Sequence, residues 1–528
     1  MAEPFAHRIE VAWSRIVAAA RAGIRRDPWF VALFAVLWIC ALVPLWAPRF
    51  LPLLDMPDHL DAIAIWHRYR DPTWGYSKYY NLNLIPLPYW GYFLPVHLLS
   101  YLMPIEIANK VYLSAYALLL PLSTAMLARQ MGRSHWLALF SFPLVFNMNF
   151  SYGFITFCAG IVVLSFALVV LDRYLEQPTP RRAWALALLS ILLYLTHVLP
   201  WMFFGVASIL LVFCHGWHPR RILTAAALEL PSLLLAVYGF HRSAGTTAVQ
   251  AGPLAYDAKG EELINSLQQI PLRVIAGWPS NGPYWIVLAL ALCWMAVLLT
   301  ARGGSDDVEA RRDGWPHRLE LVALLSAIAY LFLPMHLFKP VDLWMIGGRF
   351  ITIAALFGAL LPHGPIAGKR RLLFVPVVLL AIYYPLALSS KWVQFDRRAA
   401  SFRRLMRHVE RGSSTLTLVM GDGSDPAVDP QAVPYLQFHA YAQYLAGGFD
   451  PWALDTGFPY TRKPNTGFPA PRWKHPETFT FDQHGSHYDY ILTKGEWTEH
   501  ALFGPDDSGR APLVAQDGDW RLYSVGQR

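Results

Sequence analysis

Two acidic side chains and a histidine follow the first long apolar segment of the chain. Asp55, Asp58 and His59 lie together in residues 54–60, which read Leu-Asp-Met-Pro-Asp-His-Leu. A carboxylate at a membrane surface loses hydration, so it is normally retained for an interaction or a reaction. These oxygen and imidazole groups could act as a general base or as ligands of a hard divalent metal.

A short helix is expected to position the acidic pair. Pro57 suits the first turn of a helix, which predicts a helix over residues 58–69 along the outer membrane surface. Asp55 and Asp58 would then converge at its N-terminus, where N–H groups and the helix dipole stabilise anions. An aspartate at a helix start can also be a simple cap, and for Asp58 alone capping and chemistry both stay open.

The surrounding sequence is apolar enough to be a membrane protein. Hydrophobic residues make up 55% of the 528 residues, charged residues make up 15%, and the mean hydropathy is +0.32. This composition excludes an ordinary soluble domain and predicts a mainly α fold with a polytopic helical membrane domain over residues 28–390. About eleven transmembrane helices are expected, at residues 28–47, 107–128, 135–150, 153–171, 183–198, 199–215, 222–240, 283–300, 319–337, 350–367 and 372–390.

The positions of the cations predict the orientation of these helices. Arg and Lys gather before residue 28 and in every second connection, which places those connections in the cytoplasm. External loops are then expected at 48–106, 241–282 and 336–349, and residues 1–27 predict an amphipathic helix on the cytoplasmic membrane surface. The net charge of +8 therefore reflects topology and does not indicate a nucleic-acid partner.

Residues 391–528 differ in composition and predict a small periplasmic α/β domain. A basic helix is expected at 396–411, followed by strands at 414–420, 488–493 and 520–525 between loops rich in Pro and Gly. The four cysteines all fall within predicted spans, which favours buried apolar side chains over disulfides: Cys40, Cys158, Cys214 and Cys293.

This layout resembles the GT-C superfamily of membrane glycosyltransferases. The shared features are a cytoplasmic N-terminus, an acidic pair on a juxtamembrane helix in the first external loop, about eleven spans and an external C-terminal domain. Bacterial aminoarabinose transferases, protein O-mannosyltransferases and arabinosyltransferases are similar in layout. The sequence Asp-x-x-Asp-His stands where many members carry adjacent Asp-Glu or Asp-Asp, which leaves open whether Asp55 or Asp58 is the catalytic carboxylate.

The resemblance implies an inverting transfer of a sugar from a polyprenyl-phosphate carrier to an acceptor hydroxyl, at the outer face of the inner membrane. Asp55 or Asp58 would accept the proton of that hydroxyl, and Arg349 and Lys339 would bind the donor phosphate. The acceptor would be a lipid, a glycan or a protein. The enzyme would act as a monomer among membrane lipids.

Three histidines are further candidates for contacts with substrate or metal: His59, His197 and His336. His197 lies at the outer tip of a predicted hairpin, where hydrogen-bonded packing is the competing interpretation. A divalent metal, Mg²⁺ or Mn²⁺, is compatible with Asp55 and Asp58 as ligands, but two carboxylates do not require one.

Two other functions fit parts of the sequence. A lipid or glycan transporter or flippase would also have many spans, but its polar residues are expected near the membrane midplane and in two related halves. An O-antigen-ligase type of polymer transferase would also use cations on an external loop. The early acidic pair favours the GT-C layout over this second alternative.

Overall fold

The structure is a computed structural model that describes residues 26–216, 218–243, 261–276, 281–300, 315–337, 343–428, 432–454, 457–496, 502–503 and 510–525. The predicted surface helix 1–27 lies outside these residues except for its last two positions. Lys339 and the middle of the predicted external loop 241–282 also lie outside them.

The described chain is mainly helical, and six helices are long and apolar enough to cross a membrane. These helices are Pro28–Trp46, Ile105–Gln130, Ile155–Glu176, Pro219–Arg242, Gly282–Leu299 and Gly368–His408. Two shorter apolar helices in the same described residues are Val198–Cys214 and Ile346–Gly358. These helices indicate a membrane protein, while the count of eleven spans stays a prediction.

The remaining helices are shorter or more polar. They are Met56–Arg68, Tyr76–Tyr79, Trp90–Leu99, Met148–Ser151, Pro180–Thr196, Glu261–Gln268, Ile270–Val274, Arg318–Phe332 and Phe438–Ala446. The helix Met56–Arg68, called the acidic helix below, confirms the helix predicted at 58–69. Pro57 lies in its first turn, where a residue without an N–H is tolerated.

One predicted span, 135–150, is not a continuous helix. Its pieces are two 3-10 helices and one helical turn: His135–Ser141, Pro143–Phe146 and Met148–Ser151. Pro143 has no N–H with which to continue the first piece, and Asn147 accepts a hydrogen bond from Phe150 N (3.3 Å) to begin the last. Residues 136–151 are all buried, so protein rather than lipid surrounds this irregular backbone.

The strands form one sheet and two short ribbons. The described strands are β1 (Tyr80–Leu82), β2 (His336–Leu337), β3 (Leu343–Trp344), β4 (Thr415–Val419), β5 (Tyr460–Arg462), β6 (Tyr490–Lys494), β7 (Leu513–Asp517) and β8 (Trp520–Ser524). The sheet has the order β4-β6-β8-β7, in which β4 and β6 are parallel and β8 is antiparallel to both neighbours. The strands predicted at 414–420, 488–493 and 520–525 are confirmed as β4, β6 and β8.

The α-helical part of the segment Gly368–His408, residues Val375–Leu405, joins the other apolar helices to this sheet. It passes without a break through residue 391, the predicted start of the C-terminal domain. Near its end Phe402 packs against Trp520 of β8, with ring centroids 5.1 Å apart. Phe438, from the helix Phe438–Ala446, contacts both rings. The sheet is therefore held to the apolar helices by a continuous helix and an aromatic cluster.

The C-terminal region also covers the acidic helix. Phe50, which precedes that helix, stacks on Tyr441 with centroids 4.1 Å apart and planes 8° apart. At the other end, Arg68 Nη1 donates a hydrogen bond to Tyr444 O (2.9 Å). The strand β1, which follows the acidic helix, pairs with β5. The acidic pair thus lies where the N-terminal and C-terminal regions meet.

Candidate active site

Asp55 immediately precedes the acidic helix, and its backbone is fixed by the buried segment around residue 152. Asp55 N donates to Tyr152 O (3.1 Å), and Leu54 N donates to Ser151 O (3.1 Å). Gly153, with φ +82°, passes so close that a Cβ there would lie 2.8 Å from Asp55 N. Glycine is needed at 153 both for this positive φ and for the close approach, so the position of Asp55 depends on it.

Helix capping does not account for either member of the acidic pair. The Asp55 side chain makes no capping hydrogen bond to the acidic helix. Neither carboxylate oxygen of Asp58 has a hydrogen-bond partner of normal geometry in the described part of the chain. Both carboxyl groups therefore lack the contact that an aspartate at a helix start usually makes.

The pKa of Asp55 lies near neutrality. Burial raises it to about 7, although the charge of Arg349, a hydrogen bond from Gln437 and the charge of Lys474 each act to lower it. By its accessible surface, Asp55 is half-buried rather than fully enclosed. A carboxyl group with this pKa can accept a proton at pH 7 and release it again, as a general base must.

Asp58 has a different environment from Asp55. Its side chain is 2% exposed, and burial raises its pKa well above the usual value, with the neighbouring carboxyl groups of Asp55 and Asp450 raising it further. Asp61, which is 1% exposed, is affected in the same way by burial, Asp450 and Asp58. Burial therefore favours the protonated form of both Asp58 and Asp61.

We expect the substitution Asp58→Asn to stabilise the protein at high pH. The folded state keeps the Asp58 proton after the unfolded chain, with an ordinary carboxyl pKa, has lost it. Stability conferred by the protonated form is therefore lost as the pH rises above about 4 towards the folded pKa. The unfolding temperature of the wild type in detergent should be lower at pH 8 than at pH 5.5. Asp58→Asn should raise it at pH 8 by about 2–5 °C.

The matched control is Asp422→Asn, because Asp422 is exposed and its side chain only accepts a hydrogen bond from Ser424 N (2.9 Å). That variant should keep the wild-type dependence of unfolding temperature on pH. An Asp58→Asn protein with an unchanged or steeper dependence would show that Asp58 is ionised in the folded state.

His59 contributes packing rather than a metal ligand. Its Nε2 lies 3.0 Å from Gly153 O, and its ring stacks on Phe458 with centroids 5.9 Å apart. Burial lowers its pKa to about 4, so it is neutral at pH 7. In the described chain, the ligand atoms of Asp55, Asp58 and His59 do not form a group within 4.8 Å of one another. The three residues are thus not arranged as a preformed metal site.

Arg349 lies in the first turn of the helix Ile346–Gly358 and is 6% exposed. Its Nη2 donates to Trp344 O (3.0 Å), and its Nη1 lies 3.1 Å from His197 Nε2. The guanidinium also lies over the Phe154 ring, 3.7 Å from the centroid. Within the described residues, these contacts fix the cation in one position without neutralising it by a direct ion pair.

The glycines beside Arg349 serve helix packing. A Cβ at Gly347 would lie 2.7 Å from Leu333 O, and a Cβ at Gly348 would lie 3.2 Å from the Met345 side chain. Gly347 therefore permits close contact with the end of the neighbouring helix Arg318–Phe332. It does not supply an open backbone surface for a headgroup.

The other cation and histidine candidates have different places. His197 precedes the helix Val198–Cys214 and contacts Arg349, so it positions the cation. Asn149 Nδ2, from the buried segment, donates to Arg349 O (3.1 Å). His336 lies on β2 and pairs with Trp344 of β3, the strand that precedes the helix of Arg349. Lys339 is among the residues outside the described ranges.

Asp55 and Arg349 influence each other electrostatically without a direct ion pair in the described structure. Arg349 is near enough to lower the pKa of Asp55. Within the described ranges, however, the ion pairs with N–O distances up to 4.0 Å do not include these two residues. The two charged groups are therefore near each other but are not directly paired.

The sequence did not single out three further residues near Asp55. Gln437 is the side chain that hydrogen-bonds to Asp55. His439 Nε2 lies 2.6 Å from Gln437 Oε1, and its Nδ1 lies 2.6 Å from Asp450 Oδ2. These residues are far from Asp55 in sequence, so no local spacing could have indicated them. Asp61 could have been found, because it lies one helical turn after Asp58.

A pocket opens beside this group. Its lining includes His439 and two cations, Arg472 and Lys474, together with the aromatic rings of Trp452 and Trp473. Lys474 belongs both to this pocket and to the surroundings of Asp55. The volume of the pocket is about 30 Å³, which admits water but not a sugar in this conformation.

Strained backbone surrounds the site. Five described non-glycine residues have a positive φ. Four of them lie in segments that surround the candidate site: Tyr89 (80°), Met345 (57°), Val433 (31°) and Lys474 (65°). Met345 directly precedes the helix of Arg349, and Val433 precedes the turn that carries Gln437. Such conformations persist only where surrounding contacts enforce them, and they concentrate at functional sites.

Comparison with known proteins adds no relative to this picture. No model of a known protein family matches the sequence, and no curated protein matches it significantly. The interpretation of the site therefore rests on its own geometry and chemistry.

Proposed function

We propose that this protein is an inverting glycosyltransferase that moves a sugar from a polyprenyl-phosphate carrier to an acceptor hydroxyl. The observation that carries the proposal is Asp55, a half-buried carboxyl group with a pKa of about 7 that lies in the field of the buried Arg349. A base that titrates near the working pH and a fixed cation are the two groups that transfer from an anionic leaving group needs.

In the proposed reaction Asp55 accepts the proton of the acceptor hydroxyl. The hydroxyl oxygen attacks the anomeric carbon on the face opposite the phosphate, which inverts that centre. The bond between the anomeric carbon and the phosphate oxygen breaks, and the carrier phosphate leaves with the bonding electrons. Arg349 stabilises the charge that collects on this phosphate, and its contacts with His197 and Trp344 keep it in place for that role.

Asp58 is not the base in this proposal. Burial favours the protonated form of Asp58, and a protonated carboxyl group can neither accept a proton nor bind Mg²⁺ or Mn²⁺ well. We therefore assign stabilisation of the leaving group to Arg349 rather than to a metal held by Asp55 and Asp58. Addition of a chelator should leave the transfer rate unchanged.

The surface around Lys474 and the small pocket lined by Trp452 and Trp473 is the proposed side of approach for the acceptor. Lys474 lines this pocket, and its charge also acts on Asp55. Arg349, in contrast, lies on one of the apolar helices, from which a lipid-linked donor would approach. The donor phosphate and the acceptor would then meet between the two charges. The C-terminal region would select the acceptor, and the apolar helices would bind the carrier.

We place this reaction at the outer face of the inner membrane. The proposal keeps about eleven spans, a cytoplasmic N-terminus and a periplasmic domain over residues 391–528, as the distribution of cations predicts. Six helices of spanning length are compatible with this topology and also with a transporter or flippase. Only the formation of a glycosidic product distinguishes these functions.

The test is sugar transfer by the purified full-length protein in liposomes. A radiolabelled polyprenyl-phosphate sugar is supplied with lipid, glycan and protein fractions of the source cell envelope, each in a separate reaction. We expect label to enter one acceptor fraction while unlabelled polyprenyl phosphate is released. Movement of the intact donor across the bilayer, with no labelled product, would instead identify a flippase.

A further inference from the structure

Two histidines and a glutamate form a second cluster of metal-binding groups, away from Asp55. His317 precedes the helix Arg318–Phe332, and Glu320 lies in the first turn of that helix. His363 comes from the connection that follows the helix Ile346–Gly358. The His317 and His363 side chains are 54% and 43% exposed, so an ion could reach them from solvent.

The distances in this cluster match those of a zinc site. His317 Nδ1 and His363 Nε2 each lie 3.4 Å from Glu320 Oε1. One ligand atom from each residue can be chosen so that all three lie within 4.8 Å of one another. A tetrahedral Zn²⁺ with ligands at about 2.0–2.2 Å separates neighbouring ligand atoms by roughly 3.4 Å.

The glutamate also has acceptor capacity left for an ion. Its Oε1 accepts a hydrogen bond from Arg133 Nη2 (2.6 Å). Its Oε2 is buried and has no hydrogen-bond partner in the part of the chain that the structure describes. A carboxylate has about four lone-pair positions, so Glu320 can bind an ion through Oε1, the oxygen near both imidazoles, and still accept from Arg133.

We propose that His317, Glu320 and His363 bind one Zn²⁺ ion, with water as the fourth ligand. Two imidazoles and one carboxylate form a ligand set that suits this metal and is too soft for Mg²⁺ or Ca²⁺. His317 and Glu320 lie at the start of the helix Arg318–Phe332, and His363 follows the helix Ile346–Gly358. The ion would therefore link the first of these helices to the connection containing His363. This role is structural and does not depend on glycosyl transfer.

The contacts of Arg318, the residue after His317, indicate which part of the fold a bound ion would stabilise. Arg318, next to His317, makes a buried ion pair with Asp172 (2.8 Å), and His215 Nε2 lies 2.9 Å from the same carboxylate. The proposed ion would therefore stabilise the start of the helix that contributes Arg318 to this buried group. By the predicted topology this is the cytoplasmic end, opposite Asp55.

The test uses full-length protein in detergent, freed of any polyhistidine tag and treated with a chelator. Calorimetric titration with Zn²⁺ should give one equivalent of saturable binding. His317→Gln and His363→Gln should each weaken that binding by at least about 100-fold, while both proteins remain folded by circular dichroism. The control His408→Gln changes an exposed histidine outside the cluster and should bind as the wild type does.

Cobalt gives a second readout that folding defects do not mimic. Co²⁺ bound at this site should show visible bands of tetrahedral intensity without a thiolate charge-transfer band. This distinction matters because Cys214 is nearby: its carbonyl accepts a hydrogen bond from Trp315 N (2.9 Å). A thiolate band, an absence of saturable Zn²⁺ binding, or wild-type affinity in both histidine variants would each overturn the proposal.

Discussion

The Asp55→Asn protein is expected to lose sugar transfer, whereas the Asp58→Asn protein is expected to keep most of it. Asparagine retains the shape of aspartate but cannot accept the acceptor proton, so the first substitution removes the base. The expected loss in kcat/KM is about 10²–10⁴-fold, the usual contribution of a general base. Burial favours the protonated, uncharged form of Asp58, so an uncharged amide should replace it with a change of less than roughly 3-fold.

The measurement is the initial rate of label transfer from the radiolabelled donor at pH 7.5, with all proteins at equal purity. Asp422→Asn, which alters an exposed turn, serves as the matched control and should behave as the wild type. Equal losses in the Asp55 and Asp58 variants would show that the two carboxyl groups act together. Full activity in Asp55→Asn would remove the assigned base.

The Arg349→Ala protein is expected both to bind the carrier more weakly and to react more slowly. The cation is buried and fixed, so it can stabilise the bound donor phosphate and, more strongly, the departing one. Loss of one such donor should lower kcat by about 10²–10³-fold and raise KM for the donor. Arg349→Lys should recover part of this loss, because it keeps the charge but not the forked geometry.

Donor binding should be measured separately, by equilibrium titration with a polyprenyl-phosphate sugar. Arg407→Ala removes an exposed cation and is the control for net charge. If donor affinity and turnover are unchanged in Arg349→Ala, the residue has only an anchoring role at the helix end. A loss of affinity with unchanged kcat would limit its role to binding.

Local sequence patterns predicted the local parts of this site. Pro57 after Asp55 indicated the acidic helix correctly, because proline favours the first turn of a helix. The three runs of β-favouring residues near 415, 490 and 520, rich in Thr, Val, Ile or aromatic side chains, indicated three strands of the sheet. In each case the signal lies within a few residues and depends on intrinsic backbone preference.

The sequence was less informative where tertiary contacts decide. The apolar run 135–150 has the composition of a span, but Pro143 and the Asn147 side chain divide it into short turns. Hydropathy measures how apolar a segment is, and it does not distinguish contact with lipid from burial in protein. The acidic pair raised a similar problem, because both carboxyl groups look equivalent in sequence. Their pKa values differ because Arg349, Gln437 and Lys474 oppose the effect of burial on Asp55, whereas Asp55 and Asp450 add to that effect on Asp58.

Contacts between distant segments could not be predicted at all. Gln437 reaches Asp55 only because the C-terminal region folds over the acidic helix. Arg349 was a candidate through resemblance, but its contact with His197 comes from the packing of two helices. A single sequence carries no periodicity or spacing that would pair such residues.

The most direct test of the central assignment is the pH dependence of kcat/KM for sugar transfer. If Asp55 is the base, its protonation below pH 7 removes the active form, so the rate should fall about tenfold per pH unit on the acidic side. The midpoint should lie near pH 7 in the wild type and in Asp58→Asn. A rate that stays constant from pH 8 down to pH 5.5 would contradict the account.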